Sequence, residues 1–194
     1  MAEEWQTFES DELVSIYYRD IAEDLTEFKA LTSVQVSPSA LFNLLEDIVN
    51  VPNWMHNVEQ VMIIKDISPE EKIVHTKFTG FWPVSPREMV TYSEIRQEKK
   101  ASRITMHIKD IQHPEVLSQD RILMTDVKAA WHVSKDNEGQ SRIEYQGYAR
   151  PNGSLPHFLY RQAALSALQV SFYRLRDEVI KSKYQIPHPA IPND

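Results

Sequence analysis

The sequence predicts a single α+β domain in which a curved antiparallel sheet grips a long C-terminal helix around an internal hydrophobic cavity. Three observations predict it. From Val58 to Ala149, β-type segments follow one another with only short turns between them, which is the pattern of an antiparallel meander. Leu165, Leu168, Phe172, Leu175 and Val179 repeat at helical spacing near the end of the chain. No internal repeat or interdomain linker interrupts the 194 residues, a length at which a compact domain buries ~70% of the surface of its extended chain. The domain is expected to run from residue 1 to 184, with a Pro-rich tail at 185–194.

Each element has a local reason. Val14 to Arg19 and Glu27 to Val36 alternate as strands, most clearly through Phe28, Leu31, Val34 and Val36. Ser37 can cap a helix with Pro38 in its first turn, and Leu41, Phe42, Leu44, Leu45 and Ile48 give that helix an apolar stripe. Pro52 should end it near Asn50, leaving Asn53-Trp54-Met55 as a short amphipathic turn. Strands follow at Val58–Ile67 and Lys72–Thr79 around Ser68-Pro69-Glu70-Glu71, and at Glu88–Gln97 and Arg103–Asp110 around Glu98-Lys99-Lys100-Ala101. Arg121–Val133 and Arg142–Ala149 flank Lys135-Asp136-Asn137-Glu138-Gly139, the strongest turn signal. Gly147 marks a bulge or a close approach to a ligand in the last strand. A helix is expected over Leu155–Tyr184, capped by Ser154 ahead of Pro156. The tail Ile186-Pro187-His188-Pro189-Ala190-Ile191-Pro192 is expected to be extended or disordered.

Composition excludes several functional classes. Hydrophobic residues make up 42% and charged residues 25%, as in ordinary globular domains, and no run approaches the ~18 apolar residues of a membrane span. Zero cysteines exclude disulfides, thiolate metal sites and a Cys nucleophile. A formal charge of −7 with no long basic run argues against nucleic acid as a partner. With 4 Gly there is no glycine-rich phosphate loop. The start Ala2-Glu3-Glu4-Trp5 after a single Met has no signal-peptide pattern, and fits either an exported protein whose signal has been replaced or a cytoplasmic one.

The polar residues offer little catalytic chemistry. His56, His75, His107, His113, His132 and His157 are scattered without the paired helical spacing of a zinc hydrolase, and strand parity turns His107 and His132 to solvent. No metal or cofactor is expected. Asn152-Gly153-Ser154 is no nucleophile elbow, although it is formally a glycosylation sequon. Arg87, Glu88 and Arg121 are expected to form structural ion pairs, because buried charges require partners.

The apolar faces are more informative. Parity sets Met89, Thr91 and Ser93 on one strand face, Met106 and Ile108 on the next, and Leu123, Val127 and Trp131 on a third beside Tyr145. Ala163, Ala164, Ser166 and Ala167 form a stripe of small residues on the last helix. Large residues on a concave sheet facing alanines leave space unless the helix approaches closely, and a few hydroxyls in such a space suit an apolar ligand. The ligand-binding residues expected on this basis are Met89, Thr91, Ser93, Met106, Ile108, Leu123, Val127, Trp131, Tyr145, Phe158, Gln162, Ala163 and Ala167.

Phe81-Trp82-Pro83-Val84-Ser85-Pro86-Arg87-Glu88-Met89-Val90 resembles the "WPVSxRDxV" signature of the START family of lipid-transfer domains. Gly153-Ser154-Leu155-Pro156-His157-Phe158-Leu159, with Phe172, Leu175 and Arg176, resembles that family's C-terminal helix motif. Trp54-Met55 and Arg121-Ile122-Leu123-Met124 also match, so the resemblance runs from about Trp5 to Lys183. It implies the helix-grip fold, with a tunnel between sheet and helix holding one lipid or other hydrophobic molecule. Three positions depart from the pattern. Glu88 stands for Asp, Arg150-Pro151-Asn152-Gly153 stands for Asp-Pro-Gly-Gly, and Ser93 stands where sterol-binding members often carry a buried Arg, which argues against a sterol ligand. The start also resembles that of bacterial stand-alone members after export, which favours the periplasm over the cytoplasm.

The expected function is therefore non-enzymatic binding and transport of a lipid or hydrophobic small molecule by a monomer that touches membranes transiently. The alternative is a polyketide cyclase-like or hydrolytic enzyme of the wider superfamily. Thr91, Ser93 and Tyr145 alone are poor general bases for one. A third reading is an interaction module with a filled core.

Overall fold

The computed structural model describes residues 4–80, 84–98, 103–136 and 138–191. The signature residues Phe81-Trp82-Pro83, the turn residues Lys99-Lys100-Ala101, and Asn137, Ala2 and Pro192 lie outside the described residues.

Among the described residues ten strands form one sheet, antiparallel apart from one short strand, gripping a C-terminal helix. The first strand, β1 (Gln6–Ser10), pairs with β2 (Val14–Ala22), which pairs with β3 (Leu25–Val34). Two helices follow, α1 (Pro38–Glu46) and α2 (Val51–Trp54), and then β4 (Val58–Asp66), β5 (Glu71–Phe78), β6 (Arg87–Glu98) and β7 (Arg103–Asp110). The chain closes with β8 (Ile122–Leu123), β9 (Thr125–Lys135), β10 (Ser141–Arg150) and α3 (His157–Val179). The spatial order is β1-β2-β3-β10-β9-β7-β6-β5-β4, with β8 added parallel to β6. Hairpins account for most neighbours, but β10 pairs with β3 across nearly the whole chain and joins the two ends of the sequence.

Several local expectations are revised. Ser37 does cap α1, accepting from the Ala40 amide at 3.3 Å, but the helix stops at Glu46 rather than near Asn50. Pro52 sits inside the first turn of α2 instead of ending a helix, because its missing N–H has no partner to lose there. The Asn50 side chain between the two helices reaches Glu178 Oε2 at 2.9 Å and the Tyr184 hydroxyl at 2.8 Å, bonds that a continuous helix would forgo. The single strand expected over Arg121–Val133 is two. Residues 122–123 run along β6, and the chain then turns through Asp126 at φ 52°, a conformation an Asp tolerates better than most.

Helix α3 begins at His157, and Ser154 is exposed and gives it no cap. The helix ends at Val179, and a 3₁₀ turn at Ser182–Tyr184 replaces the expected continuation. Up to Ile191 the tail is packed against the domain. Tyr184, His188, Ala190 and Ile191 are buried, His188 bridges to Ile191, and Gln97 Nε2 donates to the Ala190 carbonyl at 3.0 Å. At Gly147 the close approach is to the neighbouring strand, where an added Cβ would meet Ala129 Cβ at 2.6 Å. The register shift in β10 falls just beyond it, between Tyr148 and Arg150.

The core fills one end of the grip. Leu41, Phe42 and Leu44 of α1, Ile95, Met106, Val133 and Ile143 of the sheet, and Leu175 and Val179 of α3 pack there with the tail. The other end is not filled.

Candidate functional site

A cavity of about 310 Å³ lies between the sheet and the first half of α3. Ala163, Ala164 and Ala167 of α3 line its helix side, and positions 163 and 167 share a face because they lie one turn apart. On the sheet side the walls are Met89 of β6, Ile108 of β7, Val127 and Ala129 of β9, and Phe28 of β3. Gly147 and Ala149 of β10 add small residues, so the sheet contributes room as well. Trp131 divides cavity from core. It stacks on Phe172 (centroids 5.7 Å apart, 10° between planes), leans on Tyr145 at 5.0 Å and meets Trp54 edge-on at 6.4 Å.

Seven of the residues singled out in the sequence meet at this cavity: Met89, Ile108, Val127, Trp131, Tyr145, Ala163 and Ala167. Six do not line it. Thr91 is buried within the sheet, and the half-buried Ser93 donates to the Lys72 carbonyl. Met106 belongs to the filled core, so the room opposite Ala163 and Ala167 is bounded by Trp131 and not by Met106. Leu123 is 36% and Phe158 62% exposed, and Gln162 is also exposed. Alternation assigns a side chain to a face of its strand, but it carries no information about where along a curved strand the cavity begins and ends.

None of the polar side chains among the described lining residues is a carboxylic acid. The Tyr145 hydroxyl has no hydrogen-bond partner among the described residues, and burial pushes its pKa up to about 12, so it stands as a neutral phenol. Tyr160 is also held neutral, chiefly by burial, and donates to the Ala149 carbonyl at 3.2 Å. Trp54 Nε1 is buried without a partner. Ser171 is satisfied, accepting from the His56 amide at 2.8 Å and donating to the Ala167 carbonyl at 2.6 Å.

Arg87 was missed as a lining residue, because adjacent charges at a strand start read as an ion pair. The two charges in fact turn to opposite sides of β6. Arg87 Nε donates to the Pro151 carbonyl at 2.9 Å, Nη1 to that of Ser85 at 2.7 Å and Nη2 to that of Asn152 at 3.2 Å. Its expected ion pair is therefore replaced by carbonyls. Burial pulls its pKa below the ordinary arginine value. Glu88 is bound instead to His75 and Ser118, while Arg121 does pair with Glu59 at 2.7 Å. His107 is exposed as expected, but His132 is half-buried and hydrogen-bonded to Thr105 at 2.8 Å.

No Asp, Glu or Lys is among the described lining residues, and His56 is the one histidine there. The arrangement can enclose an apolar molecule and donate hydrogen bonds to it, and its described lining holds no carboxylate–histidine pair. A larger depression of about 890 Å³ on the outer face of the sheet is bordered by charged side chains such as Glu94, Arg96, Lys109 and Asp126 and carries no such enclosure.

Comparison with known proteins agrees with this geometry. The chain is 20% identical over 171 residues to the uncharacterized protein PA1579 of Pseudomonas aeruginosa, covering 86% of this chain and 82% of the relative. A STAR-related lipid transfer protein fragment from Xanthomonas axonopodis superposes with a TM-score of 0.80 at 21% identity, covering 91% of this chain and 99% of that one. Human STARD10 gives 0.79 at 16% identity, with 92% and 74% covered. More distantly, the Zhui aromatase/cyclase from Streptomyces gives 0.53 at 9% identity, with 80% and 91% covered. These likenesses establish the helix-grip fold. The START domain profile matches residues 1–174, and the chain, with its cavity between sheet and final helix, belongs to the START domain family.

Proposed function

We propose that this protein is a non-catalytic carrier that encloses one hydrophobic molecule per monomer between the sheet and α3. The observation that carries this reading is the alanine-lined cavity itself, mostly apolar and without a carboxylate among its described lining residues. Its volume of about 310 Å³ stands at the small end of the ~300–1,000 Å³ typical of ligand sites, which favours a single-chain lipid or compact molecule. Burial of apolar ligand surface at ~25 cal/mol per Å² supplies the driving force.

Release requires movement of the segment leading into α3 or of the loop around Gln112-His113-Pro114. Transient membrane contact belongs to the same reading. Leu123, Phe158 and Leu159 are exposed, and the Leu123 carbonyl is tied to Asn152 Nδ2 at 2.9 Å, close in sequence to the start of α3.

The second reading, a cyclase or hydrolase, draws on distant likenesses to aromatase/cyclases such as the Streptomyces protein. Native mass spectrometry before and after organic extraction separates the two, together with titration of a fluorescent fatty acid. The carrier reading expects co-purified lipid and saturable binding near one ligand per chain. Absence of saturable binding by the folded protein across several lipid classes overturns it, and turnover of aromatic polyketides or esters supports the enzyme.

A further inference from the structure

Arg87 is a cation in the wall of an apolar cavity, and no carboxylate among the described residues pairs with it. Three carbonyls satisfy part of its hydrogen-bonding capacity, but a guanidinium has five N–H donors, so two remain without a protein partner among the described residues. Dipoles from carbonyls soften the cost of burying a charge without neutralising it. Glu88, the nearest acid in sequence, is turned away and held by His75 and Ser118. Two further unpartnered groups of the wall are a donor, Trp54 Nε1, and a phenol, the Tyr145 hydroxyl. The described wall thus carries one positive charge, that of Arg87, and no carboxylate.

Resting on the carrier reading, we infer that the molecule enclosed is an anionic amphiphile, with a carboxylate or phosphate head against Arg87 and an apolar tail along the alanine face of α3. An anionic head would accept the two free N–H groups and supply the missing counter-charge. In a poorly hydrated site that interaction is far stronger than in water. A neutral head of the same shape gains only the hydrogen bonds.

The test is displacement of the neutral dye Nile red from the purified protein by four ligands with a common tail: hexadecanoic acid, hexadecyl phosphate, hexadecanol and methyl hexadecanoate. The two anions are expected to compete at concentrations roughly 10- to 100-fold lower than the alcohol and ester, the range of one charge-assisted hydrogen bond. Their order relative to each other distinguishes a carboxylate from a phosphate head. Equal potency of acid and alcohol overturns the anion inference and leaves the carrier reading standing. Failure of the folded protein to bind the dye or any of the ligands overturns both. Arg87→Gln should abolish the preference and Arg87→Lys should retain most of it; a preference that survives in folded Arg87→Gln overturns the assignment to Arg87. The ligand series in the unmodified protein decides the matter even where a variant does not fold.

Discussion

His75 Nε2 lies 2.9 Å from Glu88 Oε2, and both side chains are only 1% exposed. Glu88 also accepts from the Ser118 amide at 2.7 Å and from its hydroxyl at 3.0 Å, so one buried carboxylate joins β5, β6 and the loop after β7. None of the three residues lines the cavity. Glu88→Ala would leave a buried imidazole and a loop amide without partners, and should lower the unfolding free energy by about 3–5 kcal/mol. Ligand affinity of the molecules that remain folded should be unchanged. Urea denaturation measures the first and dye binding the second; an unchanged midpoint contradicts the role assigned to this pair.

The cavity makes the opposite demand on Ala163 and Ala167. In a close-packed core a new aromatic ring costs about 1–3 kcal/mol of strain, whereas here it enters open volume. Ala163→Phe and Ala167→Phe should each melt within a few degrees of the parent while losing lipid uptake. Melting and binding belong on the same preparations. A large drop in Tm for both, with binding intact, places the ligand elsewhere.

The tail behaves as core. Ile191 is 2% exposed and Ala190 6%. Ile191→Ala should cost about 2–5 kcal/mol, the range for a buried aliphatic truncation. A loss below 0.5 kcal/mol in a denaturant titration, typical of surface substitutions, contradicts the packing.

His132 gives the stability a pH dependence. Burial, and secondarily the Arg103 charge, hold its pKa below the ordinary histidine value. As pH falls, the unfolded chain therefore takes up its proton first, from about pH 6.5. Stability associated with His132 is complete above that pH and is lost progressively below it. Melting curves from pH 8 to pH 5 should fall more steeply for the parent than for His132→Gln. Parallel curves refute the shift.

Sequence reasoning resolved what depends on near neighbours. The hairpins around Ser68–Glu71 and Asp136–Gly139, the Ser37 cap, the helical repeat of α3 and its alanine stripe all follow from local turn chemistry and periodicity, and the structure contains them. The family motifs added the helix-grip fold, which no local pattern of turns and periodicity specifies.

Only the tertiary structure decided where the cavity ends. Met89, Thr91 and Ile95 share one strand parity, yet Met89 faces open volume, Thr91 is enclosed by the sheet and Ile95 packs in the filled core. Alternation assigns a side chain to a face, whereas curvature and the position of α3 determine what covers that face. The same holds for Arg87, whose carbonyl partners at Pro151 and Asn152 are supplied by a segment distant in sequence, and for the tail, whose proline spacing says nothing of the Asn43, Ser39 and Gln97 side chains that bind it. The sequence by itself determined the antiparallel meander, the first helix with its cap and the helical repeat of α3 with its alanine stripe. Long-range packing, in which each partner is chosen by the whole fold, decided the volume left open and the charge that faces it.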